Sequence, residues 1–332
     1  MPCTLCTILK TCNPPAGAKL NFFEKWVVII RACVFSMTLT SALIGVLLAW
    51  SDGHFSWLPA LLVTLGLLLA HAANNVLNDL MDHKSGVDTP DYYRAQYSPH
   101  PILAGWVTPR GLFISFLIFS LADFGILLFF IFTAGWGALA FALAGFFISL
   151  FYVGGKYSLK FLGLGEAAVL LVWGPLMVGG TYYVLAAHVP LYVYLASLPY
   201  ALLTTTVILG KHVDKFEKDS AKKIKTLPVI LGQERALALI KIMIVSFYVL
   251  VVAESVLNII PAASLLALFS LGRAREVWRM LSAPRPETPP TDWPIWPLWF
   301  VGWCFHLGKL AGGLLIAGIG GQILLLKLIG HF

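Results

Sequence analysis

The 332-residue chain is 59% apolar and only 12% charged, with a mean hydropathy of +0.83, which excludes a soluble globule and places it in a lipid bilayer. Its net charge of +7 does not point to nucleic acid, because the basic residues border apolar segments and there report topology. The apolar runs cross a core about 30 Å thick as helices of roughly 20 residues, so the fold class is an all-α polytopic membrane protein and not a strand barrel.

Residues 1–24 carry Lys10, Lys19 and Pro14-Pro15 but no short apolar core with a small-residue cleavage site, and read as a cytoplasmic extension ahead of a single transmembrane domain, 25–332. Cys3, Cys6 and Cys12 cluster in it, while Cys33 and Cys304 lie in apolar segments. Zinc normally takes four ligands and no nearby Cys or His completes the set, so these are expected to be reduced thiols on a mobile tail.

Apolar segments follow at 26–50, 57–80, 111–133, 135–153, 164–186, 190–211, 236–257, 259–272 and 298–326, nine in all. With the N-terminus cytoplasmic, the outside loops hold no Lys or Arg and the inside loops hold nearly all of them, a positive-inside pattern. Two inside loops, 81–110 and 211–235, are longer and more acidic than connection requires and face the same side of the membrane. Residues 282–297 contain six prolines and read as a stiff surface loop, with Trp293, Trp296 and Trp299 at interfacial depth.

Polar residues inside the segments carry the chemistry. His71, Asn75, Asn78 and Asp82 form one helical stripe that cannot face lipid. Arg31 has two readings, anion binding or snorkelling to the interface, and Asp123 reads as a paired structural acid. Lys309 and His306 reach back to the surface, and the glycines from Gly308 to Gly321 read as close helix packing. An amide and carboxylates at helical spacing over a cytoplasmic cavity suit Mg²⁺, which takes hard oxygen ligands and substrate phosphates. A diphosphate fits between two such sites, one from Asn78 and Asp82 with Asp79, Asp88 and Asp91, the other from Asp214, Glu217 and Asp219. Lys156, Lys160, Arg94, Lys211 and Lys215 stand ready to neutralise a departing diphosphate.

Asn78-Asp79-Leu80-Met81-Asp82 resembles the N-D-x-x-D signature of the UbiA superfamily of intramembrane prenyltransferases, and Lys84 to Thr89 resembles the K-x-G-x-D that follows it in the 1,4-dihydroxy-2-naphthoate prenyltransferase branch. Gly154 to Lys160 with Gly163-Leu164-Gly165-Glu166 is similar to that branch's Y-P-L-K and G-L-G-E region, Gly174 to Tyr183 to its next helix, and Asp219 to Val229 to the end of its second acidic motif. The likeness runs over roughly 25–235, and four collinear motifs are more specific than any one. Two positions differ from the family pattern. Ser98-Pro99-His100-Pro101 stands where an Arg-Pro pair is common, and Lys215 stands four residues before Asp219 where the family sets an Asp.

The resemblance implies a nine-helix bundle around a central cavity open to the cytoplasm, in an integral multi-pass protein of a prokaryotic cell membrane. It implies Mg²⁺ bridging the acidic motifs to a polyprenyl diphosphate, and prenyl transfer to an aromatic acceptor, a naphthoate or related quinone precursor of menaquinone type. The catalytic candidates are then Lys160, Arg94, Tyr157, Arg31 and His100, with Lys156, Lys211, Lys215 and Asn75 at the diphosphate. Two other outcomes fit the same residues: a membrane terpene cyclase whose cation closes on itself without acceptor, and a non-catalytic transporter or lipid-binding relative.

Overall fold

The computed structural model describes residues 3–15, 17–153 and 158–329. Among them every regular element is helical. The helices are α1 Thr4–Thr11, α2 Phe22–Ile29, α3 Phe35–Ser51, α4 Trp57–Lys84, α5 Tyr93–Tyr97, α6 Pro109–Ala134, α7 Gly137–Val153, α8 Gly165–Leu171, α9 Met177–Ala186, α10 Leu191–Asp214, α11 Phe216–Ala221, α12 Leu227–Leu231, α13 Gln233–Val256, α14 Leu271–Leu281 and α15 Phe300–Leu328. Seven stretches are long and apolar enough to cross a membrane: Ala32–Ser51, Trp57–Lys84, Pro109–Ala134, Gly165–Ala186, Leu191–Asp214, Gln233–Val256 and Phe300–Leu328. Of the other two expected segments, α7 is a shorter apolar helix, and the eighth divides into a 3-10 stretch, Ala262–Ser270, followed by α14.

Local chemistry sets the breaks. Asn21 and Glu24 form a capping box that starts α2, and Thr108 caps α6 with Pro109 in its first turn. The first expected segment is interrupted: Arg31 is left-handed at φ 54° and ψ 48°, between α2 and a 3-10 turn, Ala32–Val34. A non-glycine residue there costs about 1–3 kcal/mol, so something must hold it. The fifth segment is also bent, where Gly174 (φ −99°, ψ −106°) and Pro175 open a π turn between α8 and α9.

The core lies where α10 packs on α13 and α15, α3 on α9, and α15 on the 3-10 stretch Ala262–Ser270. Within the glycine run of α15, a Cβ on Gly312 would meet the Tyr200 ring at 2.5 Å and one on Gly318 the Ala263 carbonyl oxygen at 2.1 Å, whereas Gly313 and Gly321 have open space. The N-terminal segment differs from the expected mobile tail. Ile8 is fully buried against Val27 and Val28, Cys12 is disulfide-bonded to Cys33, and only Cys3 and Cys6 of the three clustered thiols are free. An apolar contact and a cross-link hold α1 to the bundle, a pairing that the cysteine spacing did not reveal.

Candidate active site

A cavity of about 640 Å³ runs from the end of α4 into the bundle, lined by residues of α3, α4, α6 to α10 and α15. Its acidic mouth is built from α4. The stripe predicted from spacing is present, and His71, Asn75, Asn78 and Asp82 all line the cavity. Lys160 Nζ sits 2.7 Å from Asn78 Oδ1 and 2.7 Å from each Asp82 oxygen. Three hard oxygens thus surround one cation, supplied here by the chain itself.

Asp79 points the other way and is fully buried. Arg94 grips it in a bidentate fork, Nε to Oδ1 at 3.0 Å and Nη2 to Oδ2 at 2.8 Å, and Arg31 donates to Oδ1 from its left-handed position. That ion pair explains the break at Arg31, which turns the guanidinium into the site and away from the interface. Asn75 Nδ2 donates to the Ile30 carbonyl at 2.9 Å. Its amide therefore braces the break while the side chain also lines the cavity.

Past Gly86, the loop folds back through the Val87 and Asp88 N–H groups, both donating to the Asp82 carbonyl. Asp88 and His100 are buried, with His100 Nε2 3.4 Å from Asp88 Oδ2. The Ile102 and Leu103 N–H groups donate to His100 Nδ1, which leaves the ring proton on Nε2, facing Asp88. Burial works against ionised Asp88, but His100, Arg94 and Lys215 prevail over it and over Asp79, holding the carboxyl below its ordinary value. Donor atoms of Asp79, Asp88 and His100 lie within 4.8 Å of one another.

The second acidic loop meets the first. Tyr92 donates to Asp219 Oδ1 at 2.5 Å, Lys215 and Lys222 each lie 4.6 Å from the Tyr92 ring centre, and Lys222 donates to the Val87 carbonyl at 2.6 Å. Burial would lower the Lys215 ammonium, yet Tyr92 and Asp219 beside it raise it above the ordinary lysine value. The expected ligand set is smaller than the sequence implied. α10 stops at Asp214 and α11 starts at Phe216, so Asp214 turns to accept the Phe300 and Val301 N–H groups at 2.9 and 3.0 Å, and Glu217 is exposed. Of the three acids, Asp219 alone bonds to the first acidic loop, through Tyr92.

Lys211 lines the cavity with no carboxylate partner among the described residues, beside Arg31, Lys160 and Lys215. Tyr97, missed by sequence reasoning, lies among these cations; burial opposes its ionisation, but Lys211, Arg31 and Arg94 hold its phenol below the ordinary tyrosine value. His212 and Glu166, paired at 2.7 Å, join α10 to α8, a link that the neighbouring Lys211 and the G-L-G-E match could have suggested. Lys156 and Tyr157 lie outside the described residues. Deeper in, His71 Nδ1 is 2.8 Å from Thr38 Oγ1, between the rings of Phe35 and Trp173 at 5.2 and 5.4 Å. Asp123, expected to be paired, has no ion pair or hydrogen bond among the described residues and sits against Gly66 in the cavity wall.

A sequence model of the UbiA prenyltransferase family matches residues 38–291. The chain belongs to that family. It is 25% identical over 210 residues to the UbiA prenyltransferase domain-containing protein 1 of Danio rerio, a match spanning 62% of this chain and 61% of that one. It is 26% identical over 216 residues to the 1,4-dihydroxy-2-naphthoate octaprenyltransferase of Escherichia coli K12, covering 64% and 70% of the two chains. To the digeranylgeranylglyceryl phosphate synthase of Natronomonas pharaonis it is 27% identical over 260 residues, covering 74% and 82%. Its fold is that of a UbiA homolog from Archaeoglobus fulgidus, solved bound to GPP and Mg²⁺, with a TM-score of 0.58 at 17% identity over 90% of this chain and 99% of the homolog. The all-helical, membrane-embedded reading of the sequence and the expected enzyme family agree with these findings.

Proposed function

We propose that this prenyltransferase moves a polyprenyl group from its diphosphate to an aromatic acceptor, a naphthoate or related quinone precursor, inside the cavity. The observation that carries the reading is the set of five cations, Arg31, Arg94, Lys160, Lys211 and Lys215, gathered with buried acids at the mouth of an apolar chamber. Lys211 and Lys215 receive the diphosphate, and Lys160, moving from Asp82 to a phosphate oxygen, follows it. The C1–O bond breaks with its electron pair on the diphosphate, where these ammonium groups offset the growing charge. The allylic cation faces Trp173 and other apolar walls of the cavity that exclude water. A ring carbon of the acceptor supplies the pair for the new C–C bond, and the proton on that carbon passes to an oxygen of the departed diphosphate, the C–H pair restoring the aromatic ring.

The residues present fit a divalent cation. Asp219 Oδ2 is buried without a hydrogen-bond partner, Asp88 Oδ2 has only the His100 Nε2 contact at 3.4 Å, and Asn78 and Asp82 already surround an ammonium with hard oxygens. Mg²⁺, which the A. fulgidus homolog binds, would be held by Asn78, Asp82, Asp88 and Asp219 and would add positive charge at the diphosphate. Topology supports delivery of Mg²⁺ and acceptor from the cytoplasm, where the Lys- and Arg-rich loops belong.

The test is direct: purified protein, prenyl diphosphates of several lengths, Mg²⁺ and a panel of hydroxylated aromatic acids. Prenylated acceptor is the expected product. Absence of product across the panel refutes the reading, and a hydrocarbon or alcohol formed equally without acceptor replaces it with cyclisation or hydrolysis.

A further inference from the structure

Resting on that reading, we infer that the cavity wall made by Lys10, Trp293 and His306 is the subsite that holds the anionic group of the acceptor. The diphosphate end employs Arg31 ahead of α3, Arg94 of α5, Lys211 of α10 with Lys215 just past it, and the Lys160 turn. Lys10 and His306 line the same cavity from α1 and α15, and Lys309 lies within electrostatic reach of both. No carboxylate pairs with Lys10, His306 or Lys309 among the described residues. Two lysine ammonium groups and an imidazole N–H beside an apolar chamber, with no protein anion to balance them, attract an anion from outside.

An aromatic surface stands next to these charges. The Trp293 ring meets His306 edge-on at 6.3 Å and stacks on Trp303 at 5.6 Å. It is fixed by its own N–H, donated to the Leu298 carbonyl at 2.6 Å, and by the missing side chain of Gly302, whose Cβ would fall 2.5 Å from the ring. A flat, immobilised indole beside cations suits a planar ring bearing a carboxylate.

The wall is also built to stay in place. Asn13 Nδ2 donates to the Tyr97 carbonyl at 2.5 Å and to the Pro294 carbonyl at 2.6 Å, so one side chain ties the N-terminal segment to α5 and to the proline-rich loop. Ser98 Oγ donates to the Cys12 carbonyl at 3.0 Å, and the Cys12–Cys33 disulfide joins the segment to the turn after Arg31. These links hold Lys10 over the cavity, and Tyr97 connects the wall to the diphosphate end.

The ligand chemistry is an anionic head on an acceptor, and two sources share it: an aromatic carboxylate and a phosphate ester. Binding to the purified full-length chain in detergent, without prenyl diphosphate, separates them. The probes are a labelled hydroxynaphthoate, its neutral methyl ester and glycerol phosphate. The hydroxynaphthoate is expected to bind roughly 5-fold or more tightly than the ester. Lys10→Gln and His306→Gln should each remove most of that preference and raise the acceptor KM by a similar factor, with KM for the prenyl diphosphate unchanged. Lys10→Arg should retain the preference, and thermal melting confirms that the variants are folded. Glycerol phosphate binding that depends on Lys10, without hydroxynaphthoate binding, keeps the anion subsite and assigns it to a phosphate ester.

Equal binding of acid and ester by the wild type overturns the subsite. So does a Lys10→Gln variant whose prenyl diphosphate KM rises as much as its acceptor KM. Lys10-dependent binding of the acid by protein that transfers nothing refutes the transfer reaction while the anion subsite stands.

Discussion

Asp82 and Asp214 each stand near the end of a long helix, yet they meet opposite partners. Asp82 faces an ammonium across the cavity mouth, whereas Asp214 satisfies two backbone N–H groups at the start of α15 that the helix cannot satisfy itself. Removing charge from Asp82 therefore acts on the reaction. Asp82→Asn is expected to lower kcat/KM on the order of 100-fold or more, and a Mg²⁺ titration should reach its half-maximal rate only at a higher Mg²⁺ concentration than wild type. For Asp214→Ala the pattern reverses. The loss of a helix cap costs about 1–2 kcal/mol, so thermal unfolding should come earlier, with Mg²⁺ dependence of the remaining activity unchanged. Loss of metal dependence in Asp214→Ala would return that residue to the ligand set. The difference was not legible from spacing, because both residues read as acids at the end of an apolar helix, and only the arrival of α15 distinguishes them.

The helices were legible because lipid demands about 20 apolar residues and internal satisfaction of every backbone group. What the pattern did not carry was the interruption at Arg31, since nothing in the apolar run from 26 to 50 marks a left-handed residue. The ion pair to Asp79, a contact 48 residues away in sequence, offsets its cost. Glycine positions on α15 were legible as packing in general but not individually. Gly318 lies against the Ala263 backbone and Gly313 against nothing. Gly318→Ala must push α15 off the 3-10 stretch at Ala262–Ser270, an overpacking cost of about 1–3 kcal/mol. Melting of the detergent-solubilised protein should fall for Gly318→Ala and stay within experimental scatter for Gly313→Ala. Equal melting of the two variants would show that the 3-10 stretch moves freely.

At the scale of the molecule, two loops that the sequence placed on one side of the membrane close on each other through Tyr92, Asp219, Lys215 and Lys222. The sequence supplied their side, their acids and His100; it could not supply the tyrosine that joins them or the partner that His100 meets. Within the first loop, Asp88 carries a dependence on acid. Asp88 is held ionised below the ordinary carboxylate range, because His100, Arg94 and Lys215 outweigh burial and the repulsion of Asp79. A carboxyl lowered on folding contributes its stabilisation wherever it is ionised in both states, above the ordinary value of about 3.9. That contribution fades as the pH drops through the lowered value, since the unfolded chain then binds the proton more readily. Wild-type melting should therefore be level in this respect from about pH 5 upward and fall as the medium is made more acid. Asp88→Asn cannot ionise, so its melting temperature should start lower at neutral pH and decline less steeply on acidification, the two curves converging at the acid end. Parallel curves for the two proteins, recorded in one detergent and one salt concentration, would place the acid sensitivity in other groups and leave the Asp88–His100 pair without a part in holding the first loop folded.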